Sequence, residues 1–203
     1  MIRVNKAVVT LGGVALAVVV ALVGRSLRPR QPLPVLGQVP AFALVDARGA
    51  PYTTQTMLGH ATVADFVFTT CKSSCPRLTA RMATLQAALA KDGSDARLVS
   101  FSVDPETDTP AVLAAYAARS GADLARWTFV TGPVDDVIRT VVQGFKISAA
   151  KIDKGAGDTD VTHGDWFVLV DRAGRIRGYY ATDEAKALDR VRDDVERLDR
   201  ERP

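Results

Sequence analysis

Between Lys6 and Arg25 the chain runs through eighteen residues, Ala7 to Gly24, that carry no charge and only Thr10 as a polar side chain. As a helix this run would reach ~27 Å, close to the ~30 Å hydrocarbon core of a bilayer. A segment of that kind has no place in an ordinary water-soluble core, so it divides the chain before any other pattern is considered. Cleavable signal sequences have shorter apolar regions, about 7–15 residues, followed by a small-x-small site. Here Leu22-Val23-Gly24 leads directly into Arg25, and the nearest acceptable site, Val19-Val20-Ala21, lies inside the run. The expectation is an uncleaved transmembrane anchor over residues 7–24, with residues 1–6 as a short cytoplasmic tail. Two basic residues precede the span and three follow it, so the positive-inside count does not itself orient it. Pro29, Pro32, Pro34 and Pro40 mark residues 25–40 as an extended linker, and residues 41–203 remain for a folded domain.

Charge supports the same division. Residues 1–30 hold five basic groups and no acid, which leaves 21 Lys/Arg against 23 Asp/Glu in the other 173 residues. The formal charge of +3 therefore comes from a basic collar around the apolar run. Nucleic-acid binding is excluded as an expectation, because it needs a positive face on the folded part. Disorder is excluded by regular apolar runs in a body long enough to bury a core.

The body alternates strand and helix patterns. Residues 42–45 and 52–54 flank Asp46-Ala-Arg-Gly49 as a hairpin, and 61–68 (ATVADFVF) reads as a buried strand. A helix is expected from Cys75 to Lys91, with Leu78, Met82, Leu85 and Leu89 at helical spacing. A strand follows at 97–103, then a helix to about Ser120 opened by Asp108 as N-cap before Pro110. Next come a strand at 127–130 and a helix at 133–143. The Gly/Asp-rich stretch 153–160 reads as a mobile loop. Strands at 166–170 and 175–180 turn on Asp171-Arg-Ala-Gly174, and a charged helix from Thr182 to about Arg200 closes the chain. This order implies an α/β fold, a mixed central sheet flanked by helices.

The chain has two cysteines, both in Thr69-Thr70-Cys71-Lys72-Ser73-Ser74-Cys75-Pro76, where the buried strand gives way to the helix. A helix N-terminus favours the thiolate, and a spacing of four brings both sulfurs to one side of a turn. Such a pair suits Cu(I) or Zn(II). It also suits a reversible disulfide, although a redox CxxC has two intervening residues rather than three. An inert disulfide would close a very small loop and add little stability. Structural zinc normally takes four ligands.

His163, in Val161-Thr162-His163-Gly164-Asp165-Trp166, stands just before the apolar strand WFVLV. At the mouth of a sheet it can join two thiolates in a three-coordinate site suited to Cu(I), and acceptable for Cu(II) with a further ligand. The alternative is a loop histidine with no ligand role. His60 precedes the strand at 61–68, on the side away from Cys71, and is read as structural or solvent-exposed.

Over roughly residues 37–182 the chain resembles the SCO/SenC copper chaperones, which have a thioredoxin-like fold. The resemblance rests on TTCKSSCP, on Val103-Asp-Pro-Glu-Thr-Asp-Thr-Pro110, on Tyr116 and Thr131-Gly132, and on His163 ahead of the strand that ends in Asp171-Arg-Ala-Gly174. It differs in having Thr162 and Gly164 around the histidine, where the family usually has Asp and Ser or Thr. Carried over, the family's copper ligands fall on Cys71, Cys75 and His163. The resemblance implies a part in assembling the dinuclear copper centre of cytochrome c oxidase, by delivering copper, by keeping the target's cysteines reduced, or both. The alternative is a membrane-tethered thiol–disulfide oxidoreductase. The N-terminus lacks a long Arg/Ser-rich amphipathic presequence, so the expected location is a bacterial inner membrane, single-pass, with the domain in the periplasm.

Overall fold

The computed structural model describes residues 31–147, 150–153, 159–162 and 165–201. The apolar run 7–24 and His163 lie outside these residues. No helix among the described residues is long and apolar enough to cross a membrane. The compact unit begins at Leu33. Its elements are β1 (Gly37–Gln38), β2 (Ala43–Asp46), β3 (Pro51–Thr53), α1 (Thr54–Met57), β4 (Thr62–Val67), α2 (Cys75–Lys91), β5 (Arg97–Ser102), α3 (Pro110–Arg119), β6 (Trp127–Thr131), α4 (Val134–Ile138), β7 (Ala150–Asp153), β8 (Thr159–Thr162), β9 (Trp166–Val170), β10 (Arg175–Ala181) and α5 (Ala187–Arg200).

Eight strands form one sheet in the order β1-β10-β9-β4-β5-β6-β2-β3, and β7 and β8 form a separate pair. β4, β5 and β6 are parallel neighbours, while β9 runs antiparallel to β4 and β10 antiparallel to β9. The β4–α2–β5 crossover followed by the β9–β10 hairpin and α5 is the thioredoxin-like layout. Along β4 the side chains alternate between two cores: Val63 and Val67 join α2, α3 and α5, while Ala64 and Phe66 join α4 and its continuation. The alternation sends Asp65 to the α2 face. A strand buried on both faces reads as a near-continuous apolar run, so a carboxyl there is an exception.

α2 has its expected bounds because both ends are marked. Pro76 sits in its first turn, and Leu78, Met82, Leu85 and Leu89 are buried against the sheet. α3 corrects the expected cap. Thr109, not Asp108, is the N-cap, accepting from the Val112 N–H at 3.4 Å. Asp108 is buried and turned back toward the loop after β4. Thr109→Ala should therefore cost about 1 kcal/mol, measured as a lower urea midpoint at unchanged slope. An unchanged midpoint would rule out Thr109 as the working cap.

Other boundaries differ for local reasons. α5 begins at Ala187 rather than Thr182, because the Thr182 N–H donates to the Asp165 carbonyl at 2.7 Å and the chain turns before the helix starts. α4 is short and continues as a π turn over Arg139–Gly144. Parts of the expected loop 153–160 are strand, since Asp153 pairs with Thr159 and Ile152 with Asp160. From Leu33 on, the segment expected as linker belongs to the folded body: Leu33 and Val39 are buried, and β1 pairs with β10. The buried Arg177 guanidinium donates to the Leu33 and Pro34 carbonyls at 2.5 and 3.1 Å and to Asp171 at 2.7 Å. Prolines need no partner for an N–H they lack, so an edge strap tolerates them.

Candidate metal centre

The site is built where β4 ends. After Val67 the chain turns, and the Cys71 N–H donates to the Phe68 carbonyl at 3.3 Å. α2 then starts at Cys75 with Ser74 as N-cap, and the Ser74 side chain makes no capping hydrogen bond. The Cys75 N–H instead donates to Cys71 Sγ at 3.4 Å. One sulfur thus occupies the acceptor position at the helix N-terminus, the place an anion would take. Ser73 Oγ lies 3.7 Å from the same sulfur. Neither cysteine is in a disulfide; Cys71 is half-buried and Cys75 fully buried.

The two sulfurs are not equivalent. Burial opposes the Cys71 thiolate, but the Cys75 N–H and thiol and the Ser73 N–H and hydroxyl outweigh it, so the Cys71 pKa is lowered. Burial pushes the Cys75 thiol far up, and Cys71 and Asp65 add to that against the Phe68 backbone. The expectation that the helix N-terminus promotes both thiolates is corrected: it holds for Cys71, while desolvation wins at Cys75.

Three groups around the pair carry more than packing. Neither carboxylate oxygen of buried Asp65 meets a donor in hydrogen-bonding geometry among the described residues. Burial pushes its pKa up to about 7, eased in part by Ser100, its neighbour in register on β5. Tyr116 on α3 shares a 2.6 Å hydrogen bond with Thr79 of α2, and Arg119 lies 4.5 Å from its ring centroid. Asp108 accepts from Thr69 Oγ1 at 2.5 Å, from the Thr69 N–H at 3.2 Å, and from Ser102 Oγ at 2.6 Å. Burial raises the Asp108 pKa despite these donors, and nearby Asp104 contributes in the same direction. Sequence reasoning missed Asp65 and misassigned Asp108. The available signal for Asp65 was a lone carboxyl at an inward position of an apolar strand.

Among the described residues no group of three His, Cys, Asp or Glu side chains could hold a metal ion. The structure thus brings Cys71 and Cys75 together, and His163 falls outside the described residues. Two residues further on, Asp165 Oδ2 lies 3.9 Å from Arg77 Nη2 of α2. β9 is antiparallel to β4, so it starts at the end of the sheet where β4 finishes. His60 precedes β4 at the opposite end, a strand length of roughly 20 Å away, with Nδ1 3.5 Å from Asp95. That position agrees with a structural or exposed role.

The SCO1/SenC family model matches residues 35–198. The SCO1 protein homolog of Bacillus subtilis is 32% identical over 163 residues, covering 80% of this chain and 83% of its own. A Stutzerimonas stutzeri protein named for copper binding is 29% identical over 148 residues, covering 72% of this chain and 71% of its own. The solved structure of BsSco, described as a Sco-family cytochrome c oxidase assembly protein with a disulfide switch, superposes with TM-score 0.73 at 29% identity. It covers 85% of this chain and 100% of that one. Family model, relative and fold meet on the same body that carries the sulfur pair, and the chain belongs to the SCO1/SenC family.

Proposed function

We propose that this chain is a membrane-anchored copper chaperone in which Cys71, Cys75 and His163 hold copper as cargo for the dinuclear copper site of cytochrome c oxidase. The anchor is the run 7–24, and the domain faces the periplasm from a bacterial inner membrane. Family membership supports the copper and oxidase-assembly reading. The observation that carries the ligand set is the Arg77–Asp165 approach of 3.9 Å, which puts the chain two residues after His163 beside the first turns of the helix that begins at Cys75.

The donor set fits the cargo. Two thiolates and one imidazole suit a soft, low-coordinate ion, and the half-exposed Cys71 sulfur leaves a way in for an acceptor's thiolate. Transfer is then ligand exchange: the incoming sulfur enters as a donor sulfur leaves, and no bare ion is released. Cys75 must lose its proton when it ligates, so affinity falls as pH falls.

A second reading, thiol–disulfide exchange that keeps the target's cysteines reduced, is favoured by the asymmetry of the pair. A half-exposed thiol with a lowered pKa is an attacking group, and a buried protonated thiol four residues on is a resolving one.

His163→Ala separates the two readings. It should lower copper affinity by at least the ~10–100-fold that losing a ligand's supporting partner costs. Cu(II) should suffer more than Cu(I), because two thiolates still hold Cu(I) while Cu(II) prefers imidazole and further ligands. The measurement is competition titration of each oxidation state on wild type and variant. Unchanged affinities together with a collapse of thiol–disulfide exchange would retire the chaperone reading in favour of the oxidoreductase.

A further inference from the structure

The loop after β4 and the loop after β5 come from segments about 39 positions apart, as Thr69 and Asp108 show, yet they are joined through one buried carboxylate. Both oxygens of Asp108 are used. Oδ1 accepts from Thr69 Oγ1 at 2.5 Å and from the Thr69 N–H at 3.2 Å; Oδ2 accepts from the same N–H at 3.2 Å and from Ser102 Oγ at 2.6 Å. The carboxylate itself is held, because the Asp108 N–H donates to the Asp104 carbonyl at 2.9 Å and the Asp104 N–H donates to Ser102 Oγ at 3.1 Å. Thr69 is the first residue after Phe68, whose carbonyl accepts from the Cys71 N–H. A rigid β5 terminus is therefore coupled through Asp108 to the turn in which Cys71 faces the Cys75 N–H.

We propose that Asp108 is the positioning residue of the sulfur pair, its buried carboxylate fixing the Thr69 turn so that Cys71 is held against the first turn of α2. This rests on reading Cys71 and Cys75 as the working sulfurs, and it adds a group that touches neither sulfur. A carboxylate is required rather than an amide, because all its contacts are donated to it. Asparagine offers one acceptor oxygen and turns its NH2 toward a donor. Copper holding and disulfide formation both need the sulfurs at a set separation, so loosening the turn weakens both.

The test exploits the two ends of the carboxylate. Thr69→Val removes a hydroxyl donor on the cysteine-loop side; Ser102→Ala removes one on the β5 side. Each deletes one hydrogen bond to the same carboxylate, and Ser102→Ala also removes the acceptor of the Asp104 N–H, so each should lower the melting temperature. Equilibration with glutathione reads the pair without metal: both thiols plus one glutathione disulfide give the Cys71–Cys75 disulfide plus two glutathiones. Asp108→Asn and Thr69→Val should each lower that equilibrium constant about tenfold, a rise of about 30 mV in reduction potential, and lower Cu(I) affinity in parallel. Thr69→Ser, which keeps the hydroxyl, should stay within about twofold of wild type, and Ser102→Ala, which leaves both Thr69 donors on the carboxylate, should lose stability while moving the potential clearly less than Thr69→Val does.

If Thr69→Val leaves the glutathione equilibrium within twofold, or Ser102→Ala shifts it equally, Asp108 is only a fold-stabilising group and the proposal is overturned. If Asp108→Asn does not fold, the Thr69 and Ser102 variants still decide. Wild type that binds no copper would defeat the proposed function while leaving the glutathione readout of Asp108 intact.

Discussion

Oxidised protein, with Cys71 and Cys75 joined, should show no copper binding at concentrations where the reduced protein is saturated. A disulfide sulfur has no thiolate lone pair to give a soft metal, and among the described residues no group of three His, Cys, Asp or Glu side chains could hold the ion instead. Cys71→Ser and Cys75→Ser should each lower Cu(I) affinity by more than ~100-fold, the upper end of what losing a mere supporting group costs. The thiols also differ in reactivity. A half-exposed Cys71 with a lowered pKa should be alkylated well before buried Cys75. Blocking Cys71 alone should then abolish copper uptake, with peptide mass spectrometry showing Cys75 unmodified. Equal copper binding by the oxidised and reduced forms would remove both sulfurs from the site.

Local signals carried the fold furthest where start and stop coincide with the apolar period. α2 is the clearest case, with Pro76 in the first turn and four buried apolar residues on one face. α5 shows the limit: the Thr182 N–H is spent on Asp165, a partner distant in sequence, and no local pattern announces it. The strap from Leu33 was likewise hidden, because its prolines look like linker and its partner, Arg177, lies far along the chain. The site divides in the same way. The spacing of Cys71 and Cys75 shows that the sulfurs can meet, and the resemblance nominates His163. The unequal environments of the sulfurs arise from burial, which depends on the packed sheet. Asp108 illustrates the same point, since an Asp-Thr-Pro run reads as a cap until Thr69 and Ser102 are seen to occupy the carboxylate.

The reduced, copper-free protein should lose stability as pH rises from about 4 to about 7, and Asp65→Asn should remove much of that slope. Asp65 is fully buried on the α2 face of β4, and its pKa is pushed up from an ordinary 3.8 to about 7. Between those values the folded chain keeps a proton that the unfolded chain has released. The folded state therefore binds more protons, and unfolding becomes easier with each unit of pH. Below about pH 4 both states are protonated and above about pH 7 both are ionised, so the effect is confined to that window. At about 1.4 kcal/mol per unit, a rise of some three units corresponds to roughly 4 kcal/mol. Asn has nearly the same shape and no charge, but it buries an amide in a place where Asp65 finds no good donor, at a cost of about 1–3 kcal/mol. The variant should thus be no more stable than wild type at pH 4 and clearly more stable at pH 8, a reversal that a merely damaged core cannot produce. Asp108, also raised, acts in the same sense in both proteins, and Asp46 and Asp171, both lowered, act in the opposite sense at lower pH. The difference between the two proteins isolates Asp65. Urea unfolding at fixed pH between 4 and 8, below the range where Cys75 titrates, measures it, and parallel stability curves for wild type and Asp65→Asn would show that the Asp65 carboxyl is already ionised in the folded protein at pH 4.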